Sequence, residues 1–211
     1  MRHLDPGGVS TDPPEAGRGY VNSGNVGPVQ VAPRIIRDSL ILREATRVDA
    51  HAIARILKES ADLGLVARSD EVDPAAVSRQ IEVARAAHNS LVIVAVVPHG
   101  DDDTVIGLLT LEGAPLLRLH DVARLNMAVT PAYHGKGIGK DLVQFAMERA
   151  DQSGQIRKIE LLVRANNEHA LRLFKNLGYF EEGRLRARVR RDDGTYLDDV
   201  CMARFKPESA G

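Results

Sequence analysis

The stretch TPAYHGKGIGKDL, Thr130–Leu142, places three glycines within five positions and leads into a helical pattern. A Walker-type phosphate loop requires G-x-x-x-x-G-K followed by Ser or Thr, but Gly139 and Lys140 are followed here by Asp141. The dinucleotide pattern G-x-G-x-x-G also fails, because these glycines are spaced as G-x-G-x-G. The stretch therefore predicts either a different anion-binding loop or a turn that is glycine-rich for packing alone.

The residues on either side give the loop a structural context. LNMAV (Leu125–Val129) has the composition of a strand, and KDLVQFAMERA (Lys140–Ala150) has one apolar helical face. The loop thus joins a strand to a helix N-terminus, where unpaired amides and the helix dipole favour an anion. Because glycine has no side chain to obstruct the approach, a pyrophosphate fits this position.

The remaining chain alternates between period-two and helical patterns. The predicted order is strand, two helices, three strands, helix, strand, helix and two strands, with the crossover at the glycine loop requiring parallel strands and the hairpins antiparallel ones. We expect an α/β (α+β) fold, a mixed sheet of about six to seven strands flanked by about four helices. Predicted strands are 39–45, 90–97, 105–113, 121–129, 158–163, 180–191 and 195–205, and predicted helices are 46–63, 73–87, 140–150 and 167–178.

Composition limits the functional classes. The 211 residues are 44% hydrophobic and 27% charged with a formal net charge of −1, which is typical of a globular protein and favours neither nucleic acid nor an anionic membrane as partner. A single cysteine predicts no disulfide and no metal cluster, and no apolar run is long enough for a membrane span. We expect a cytoplasmic protein with a flexible tail at 1–35, one domain at 36–207 and a short tail at 208–211.

Two blocks of sequence carry a family resemblance. LNMAVTPAYHGKGIGKDLVQFAMERA resembles the acetyl-CoA-binding motif Gln/Arg-x-x-Gly-x-Gly/Ala of the GNAT superfamily of N-acetyltransferases, with His134 in the Gln/Arg place. ELLVRANNEHALRLFKNLGYFEEGRLR is similar to the superfamily's Asn-x-x-Ala-x-x-Leu-Tyr-x-x-x-Gly-Phe block, and RRDDGTYLDDVCMAR resembles the closing hairpin of its small-molecule and amino-acid acetyltransferases. The positions matching the second block are Asn167, Ala170, Leu173, Gly178 and Tyr179.

The resemblance implies how acetyl-CoA, the co-substrate, is bound without a metal. Backbone of the strand before the loop would pair with the pantetheine arm, loop amides would hold the pyrophosphate, and Asn167 would bind the pantetheine or thiol end. Phe174 stands at the family's Leu-Tyr tyrosine and is counted with the cofactor-binding residues. The implied cofactor-binding set is Met127, Ala128, Val129, His134, Gly135, Lys136, Gly137, Ile138, Gly139, Lys140, Asn167 and Phe174.

The catalytic residues that the family uses are not matched at the corresponding positions of this sequence. Phe174 cannot donate the proton that the family's tyrosine donates, and Leu162 occupies the place of the glutamate base in the branch that acetylates ribosomal-protein N-termini. Glu160 lies two residues before Leu162, hence on the same strand face, and is a candidate displaced base. His120 is a second candidate because imidazole titrates near neutrality. The amide of Met127 is expected to stabilise the oxyanion, and Tyr179 is expected to be a packing residue.

These observations favour direct transfer of an acetyl group from acetyl-CoA to a primary amine of a small molecule, such as an amino acid, an amine or an amine-bearing antibiotic or toxin. Acetylation of protein N-termini or lysines is one alternative, and a non-catalytic acyl-CoA-binding module is another. Alternation along GRLRARVRR (183–191) predicts Arg184, Arg186, Arg188 and Arg190 on one strand face, either solvated or bound to an acceptor carboxylate. A homodimer is open, since superfamily members often pair.

Overall fold

The computed structural model describes residues 32–37, 40–62, 72–99, 102–114, 116–191 and 193–207. These residues confirm the mixed α/β architecture, with eight strands in one sheet rather than six to seven. The helices are α1 (Ala50–Asp62), α2 (Pro74–Ala86), α3 (Ile138–Ser153) and α4 (Glu168–Asn176). The strands are β1 (Arg34–Arg37), β2 (Leu40–Glu44), β3 (Leu91–His99), β4 (Asp102–Gly113), β5 (Val122–Val129), β6 (Lys158–Arg164), β7 (Phe180–Arg190) and β8 (Tyr196–Phe205).

The additional strand is β1, which pairs antiparallel with β2. It begins at Arg34, inside the segment predicted as a tail. The sequence does not predict this strand, because its four residues are too few to show a strand pattern next to a Pro- and Gly-rich segment. Residues 1–31 of the predicted tail lie outside the described residues. Within the described part of the chain, no helix is long and apolar enough to cross a membrane.

The strand order is β1-β2-β3-β4-β5-β6-β8-β7. Every neighbouring pair is antiparallel except β5 and β6, which are parallel and joined by the crossover through α3. This confirms that the glycine loop lies at the carboxyl end of a strand whose next neighbour runs in the same direction. In open α/β sheets this is the usual position of a ligand crevice.

The two faces of the sheet carry separate apolar clusters. On one face, called here the α3 face, Leu125, Leu161 and Met202 pack with α3 and Phe174 of α4. On the opposite face, the α1 face, Val94 and Ala128 pack with α1 and α2. Because side chains alternate along a strand, odd-numbered residues of β5 and β6 lie on the α3 face and even-numbered ones on the α1 face.

Helix boundaries follow the predicted capping residues. Asp73 caps α2 by accepting bonds from the amides of Ala75 and Ala76, at 2.9 and 3.2 Å. Thr46 and Asp49 form the predicted capping box, although it caps the N-terminus of a short 3-10 turn directly before α1 and not α1 itself. Gly178, at φ +86°, follows the last turn of α4 as expected.

The predicted alternation of the β7 arginines holds for Arg184 and Arg190, whose registered partners on β8 share one face, but fails between them. Register shifts between Leu185 and Val189, where four steps on β7 face two on β8, mark a bulge with Ala187 at φ +48°. As a result Arg188 approaches the α1-face carboxylate of Asp199, at 3.9 Å, rather than sharing a face with Arg184. Extra residues of this kind leave no periodic trace in a sequence, since both neighbours of the bulge remain strand-like.

Candidate functional site

A fork between β5 and β6 is the central feature of the site. The two strands pair only from Val122 opposite Lys158 to Arg124 opposite Glu160. β4 nevertheless pairs with β5 as far as Gly107 opposite Val129. Beyond the fork, β5 therefore has a strand neighbour on one side and a gap on the side of β6.

The backbone groups that face this gap can be assigned from the bonds to β4. Thr130 N donates to Ile106 O at 2.8 Å, and Ala114 N donates to Val122 O at 3.2 Å, so even-numbered residues bond across to β4. In an antiparallel ladder the intervening residues point their N–H and C=O groups the other way. Met127 and Val129 therefore direct these groups into the gap, where an extended amide chain would pair with them as an added strand.

His134 connects the loop to this edge. Its ring Nε2 lies 2.7 Å from the carbonyl oxygen of Val129, so the tautomer with a proton on Nε2 donates to that carbonyl. Its own amide donates to Pro131 O at 3.0 Å. Among the predicted anion-binding amides of 134–140, that of His134 is thus already bonded within the turn.

The N-terminus of α3 has no side-chain cap. Its N-cap is Gly137, in the left-handed conformation at φ +80°, whereas α2 and α4 begin with the capping side chains of Asp73 and Asn167. The first backbone bond back to this turn is from Asp141 N to Gly137 O at 3.1 Å. The amides of the first helical turn, 138–140, therefore lie where a helix presents donors and partial positive charge to an anion.

The three glycines of the loop have two different roles. Gly135 and Gly137 have φ of +73° and +80°, a conformation that other residues adopt only at a cost. A Cβ on Gly139 would lie 3.3 Å from Met127 Cε and 3.7 Å from Leu173 Cδ2. Gly139 therefore allows α3 to begin close against β5, so both the turn and the packing explanations of the glycine pattern apply.

Residues of the second block lie mainly in the structural framework. Asn167 Oδ1 accepts from Ala170 N at 3.1 Å and caps α4. Phe174 is buried, with its ring 5.3 Å from that of Tyr179 in an edge-on contact. Tyr179 is 3% exposed, and burial raises the pKa of its hydroxyl.

The catalytic candidates lie at different distances from the Met127 amide, measured along β5. Glu160 is at the fork on the α1 face, with its carboxylate 3.3 Å from Arg124 Nη2 and 3.9 Å from Lys158 Nζ. His120 belongs to the turn before β5, where its carbonyl accepts from Asn89 Nδ2. At about 3.3 Å per residue, the rise from Val122 to the level of Met127 alone is roughly 16 Å. The fold thus brings Glu160 closer than His120 to the gap-facing amide of Met127.

Arg124 is the residue at this site that the sequence patterns do not single out. It belongs to no recognised motif, and its position next to Glu160 depends on the parallel register of β5 and β6. No sequence rule gives that register, because the two strands are separated by the whole of α3.

The chain belongs to the acetyltransferase (GNAT) family, because the sequence pattern of that family matches residues 53–179. The resemblance recognised in the sequence is thereby confirmed. The chain is 30% identical over 105 residues to the L-amino acid N-acetyltransferase AaaT of Escherichia coli (strain K12), a match that covers 50% of this chain and 64% of that relative. It therefore spans less than two thirds of that relative's length.

Solved structures share the fold. A GNAT-family acetyltransferase from Streptococcus pneumoniae superimposes with a TM-score of 0.73 at 21% identity, covering 79% of this chain and 99% of the other. A phosphinothricin acetyltransferase from Sinorhizobium meliloti, solved with acetyl-CoA, gives 0.72 at 22% identity, covering 82% and 91%. At this identity the agreement establishes the common architecture.

Proposed function

We propose that this protein is an N-acetyltransferase that moves the acetyl group of acetyl-CoA directly to a primary amine of a small molecule. The observation that carries the proposal is the open edge of β5 next to the uncapped N-terminus of α3. An amide-bearing arm ending in a pyrophosphate needs both features side by side. Acetyl-CoA has this composition, and the related Sinorhizobium structure contains it.

The pantetheine arm and the pyrophosphate of the co-substrate each have matching groups in the site. The pantetheine amides pair with Met127 and Val129, and the pyrophosphate accepts from amides of 135–140, near the ammonium groups of Lys136 and Lys140. Binding of the arm competes with His134 for the Val129 carbonyl. Asn167 and Phe174 support this end of the cleft indirectly. Asn167 caps α4 and Phe174 packs α4 against the core, and neither is assigned a direct contact with the co-substrate.

The reaction is an acyl transfer. The nitrogen lone pair of the neutral amine attacks the thioester carbonyl, forming the C–N bond, and collapse of the tetrahedral adduct breaks the C–S bond. One proton leaves the nitrogen and one proton ends on the CoA thiolate, a tolerable leaving group because the pKa of a thiol is about 8.5. The Met127 amide donates to the oxyanion as it forms.

Glu160 is the proposed general base. Three strand residues, roughly 10 Å at about 3.3 Å each, separate its level on the sheet from that of Met127. Because this exceeds direct hydrogen-bond reach, we assign the proton transfer to a water between the amine and the carboxylate. His120 precedes β5 and lies further from Met127, so it is the less favoured base.

The acceptor is proposed to be a small molecule, in keeping with the amino acid named in AaaT and the phosphinothricin named in the Sinorhizobium protein. Protein N-termini are disfavoured because Leu162 provides no carboxylate at the position used by that branch. A binding-only module is the alternative that Phe174 raises. A cytoplasmic location and a homodimer complete the proposal.

The test is acceptor-dependent release of CoA thiol from acetyl-CoA, measured with amino acids, polyamines, aminoglycosides and short peptides. Glu160→Gln should lower kcat by about 10²- to 10⁴-fold while acetyl-CoA binding persists. Glu148→Gln on α3, also in an ion pair with an arginine, is the matched control, and His120→Asn should leave kcat within about twofold. Binding of acetyl-CoA without release across the panel would instead favour the binding-only module.

A further inference from the structure

Arg124 and Glu160 form an ion pair at the point where the two strands separate. They are the last registered pair of β5 and β6, and both side chains lie on the α1 face. Their side chains are 58% and 34% exposed, so this pair contributes little to folding. The pair of Arg164 with Asp199, at the far end of β6, differs because the Asp199 side chain is only 2% exposed. In an exposed ion pair, either side chain can release its partner and bind a ligand instead at a small cost in free energy.

A second glutamate lies beside the same arginine in the sheet register. Glu112 of β4 is the registered neighbour of Arg124 on its other side, and it also lies on the α1 face. Arg124 therefore has a glutamate as its registered neighbour on each side, and it is ion-paired with the one on β6. A ligand that carries a carboxylate and an ammonium group on a single carbon complements this arrangement, since the guanidinium binds carboxylates bidentately and the two glutamates attract the amine.

We propose that Arg124 is the specificity-determining residue for the acceptor, and that the preferred acceptors are α-amino acids with a free carboxylate. The acceptor carboxylate takes the place of Glu160 on the guanidinium. This exchange positions the amine at the fork and releases the Glu160 oxygen that faces Arg124, which can then accept the proton, while Lys158 remains 3.9 Å from the other oxygen. The inference rests on the proposed transferase function, and on Glu160 as its base.

The experiment compares acceptors that share a side chain but differ in the carboxylate. One series is phenylalanine, phenylalaninamide and phenethylamine, and a second is methionine, methioninamide and 3-(methylthio)propylamine. The amide's amine is less basic than that of the amino acid and the decarboxylated amine's is more basic, so a preference over both is not an effect of basicity. The assay is CoA release by the full chain, with kcat and KM determined separately for wild type, Arg124→Ala and Arg124→Lys.

The expected result is a preference of wild type for the amino acid of at least about tenfold in kcat/KM over both analogues. Arg124→Ala should lower kcat/KM for the amino acid by about tenfold to hundredfold, mainly through KM, and leave the amine and amide within about twofold or improved. Arg124→Lys should retain part of the preference, because lysine keeps the charge but not the bidentate geometry. The control is Arg157→Ala, since Arg157 is 57% exposed and paired with Asp121 away from the fork.

Equal changes for all three acceptors in Arg124→Ala, or a wild type that uses the amine as well as the amino acid, would overturn the role of Arg124 and leave the transferase function standing. Absence of release with every acceptor, from a wild type that binds acetyl-CoA, would overturn the transferase function itself and the inference with it.

Discussion

Replacing Tyr179 by Phe tests whether the tyrosine is a packing residue or a substitute for the family's general acid. The ring packs edge-on against Phe174 in the core of the α3 face. Its hydroxyl oxygen is buried and has no hydrogen-bond partner among the residues that the structure describes. A tyrosine in this position loses the water that solvates its hydroxyl in the unfolded chain and gains no bond in return.

The size of the effect follows from that loss. A buried, unsatisfied hydroxyl costs about 1–3 kcal/mol, and Tyr179→Phe removes it without changing the ring. We expect the free energy of unfolding to rise by about 1 kcal/mol, which for a domain of this size raises Tm by roughly 2–4 °C. Because burial raises the pKa of the hydroxyl, the group is also poorly suited to proton transfer at neutral pH, and kcat should be unchanged.

The assay is urea denaturation followed by circular dichroism, together with CoA release. Tyr196→Phe is the matched control, since Tyr196 is exposed on β8 and its hydroxyl should matter by no more than about 0.5 kcal/mol. A Tyr179→Phe protein that is less stable than wild type would show that the hydroxyl has a partner. A stable variant whose kcat falls by orders of magnitude would identify Tyr179 as the missing acid and refute the packing role.

Three further predictions concern stability and the family's tyrosine. Asp73→Ala removes the cap of α2 and should cost about 1 kcal/mol in urea denaturation. Burial raises the pKa of Asp49, but hydrogen bonds from Arg43 and Thr46 outweigh burial and hold the pKa below its usual 3.8. The stabilisation by Asp49 is therefore present above pH 3.8 and is lost as the pH falls through the lower pKa of the folded state. Asp49→Asn should therefore cost about 3 kcal/mol at pH 7, and progressively less in acid denaturation curves. Phe174→Tyr should lower stability by about 1–3 kcal/mol by placing a hydroxyl in the core, without raising CoA release; a gain in release would favour the binding-only module as the native state.

The sequence predicts the parts of this fold that depend on local physics. Alternation and capping residues such as Asp73 and Gly178 place the helices and most strands, because each signal lies within a few residues of the element that it defines. The fork escapes such reasoning, since the pairing of Arg124 with Glu160 joins residues 36 positions apart. For the same reason His120 and Glu160 are equivalent candidates in the sequence and are separated only by the fold. The bulge at Ala187 has no local signature either, because arginines continue on both sides of it.

The central claim is that acetyl-CoA binds at the N-terminus of α3. Isothermal titration calorimetry with Gly137→Glu and Gly154→Glu tests this directly, because both glycines are left-handed, at φ +80° and +68°, at opposite ends of the same helix. The backbone cost of about 1–2 kcal/mol is thus similar for the two variants, and only Gly137→Glu places the new charge next to the proposed pyrophosphate. Gly137→Glu should weaken acetyl-CoA binding by at least about hundredfold, and Gly154→Glu should bind as wild type does. Equal affinity of Gly137→Glu and wild type would contradict the central claim.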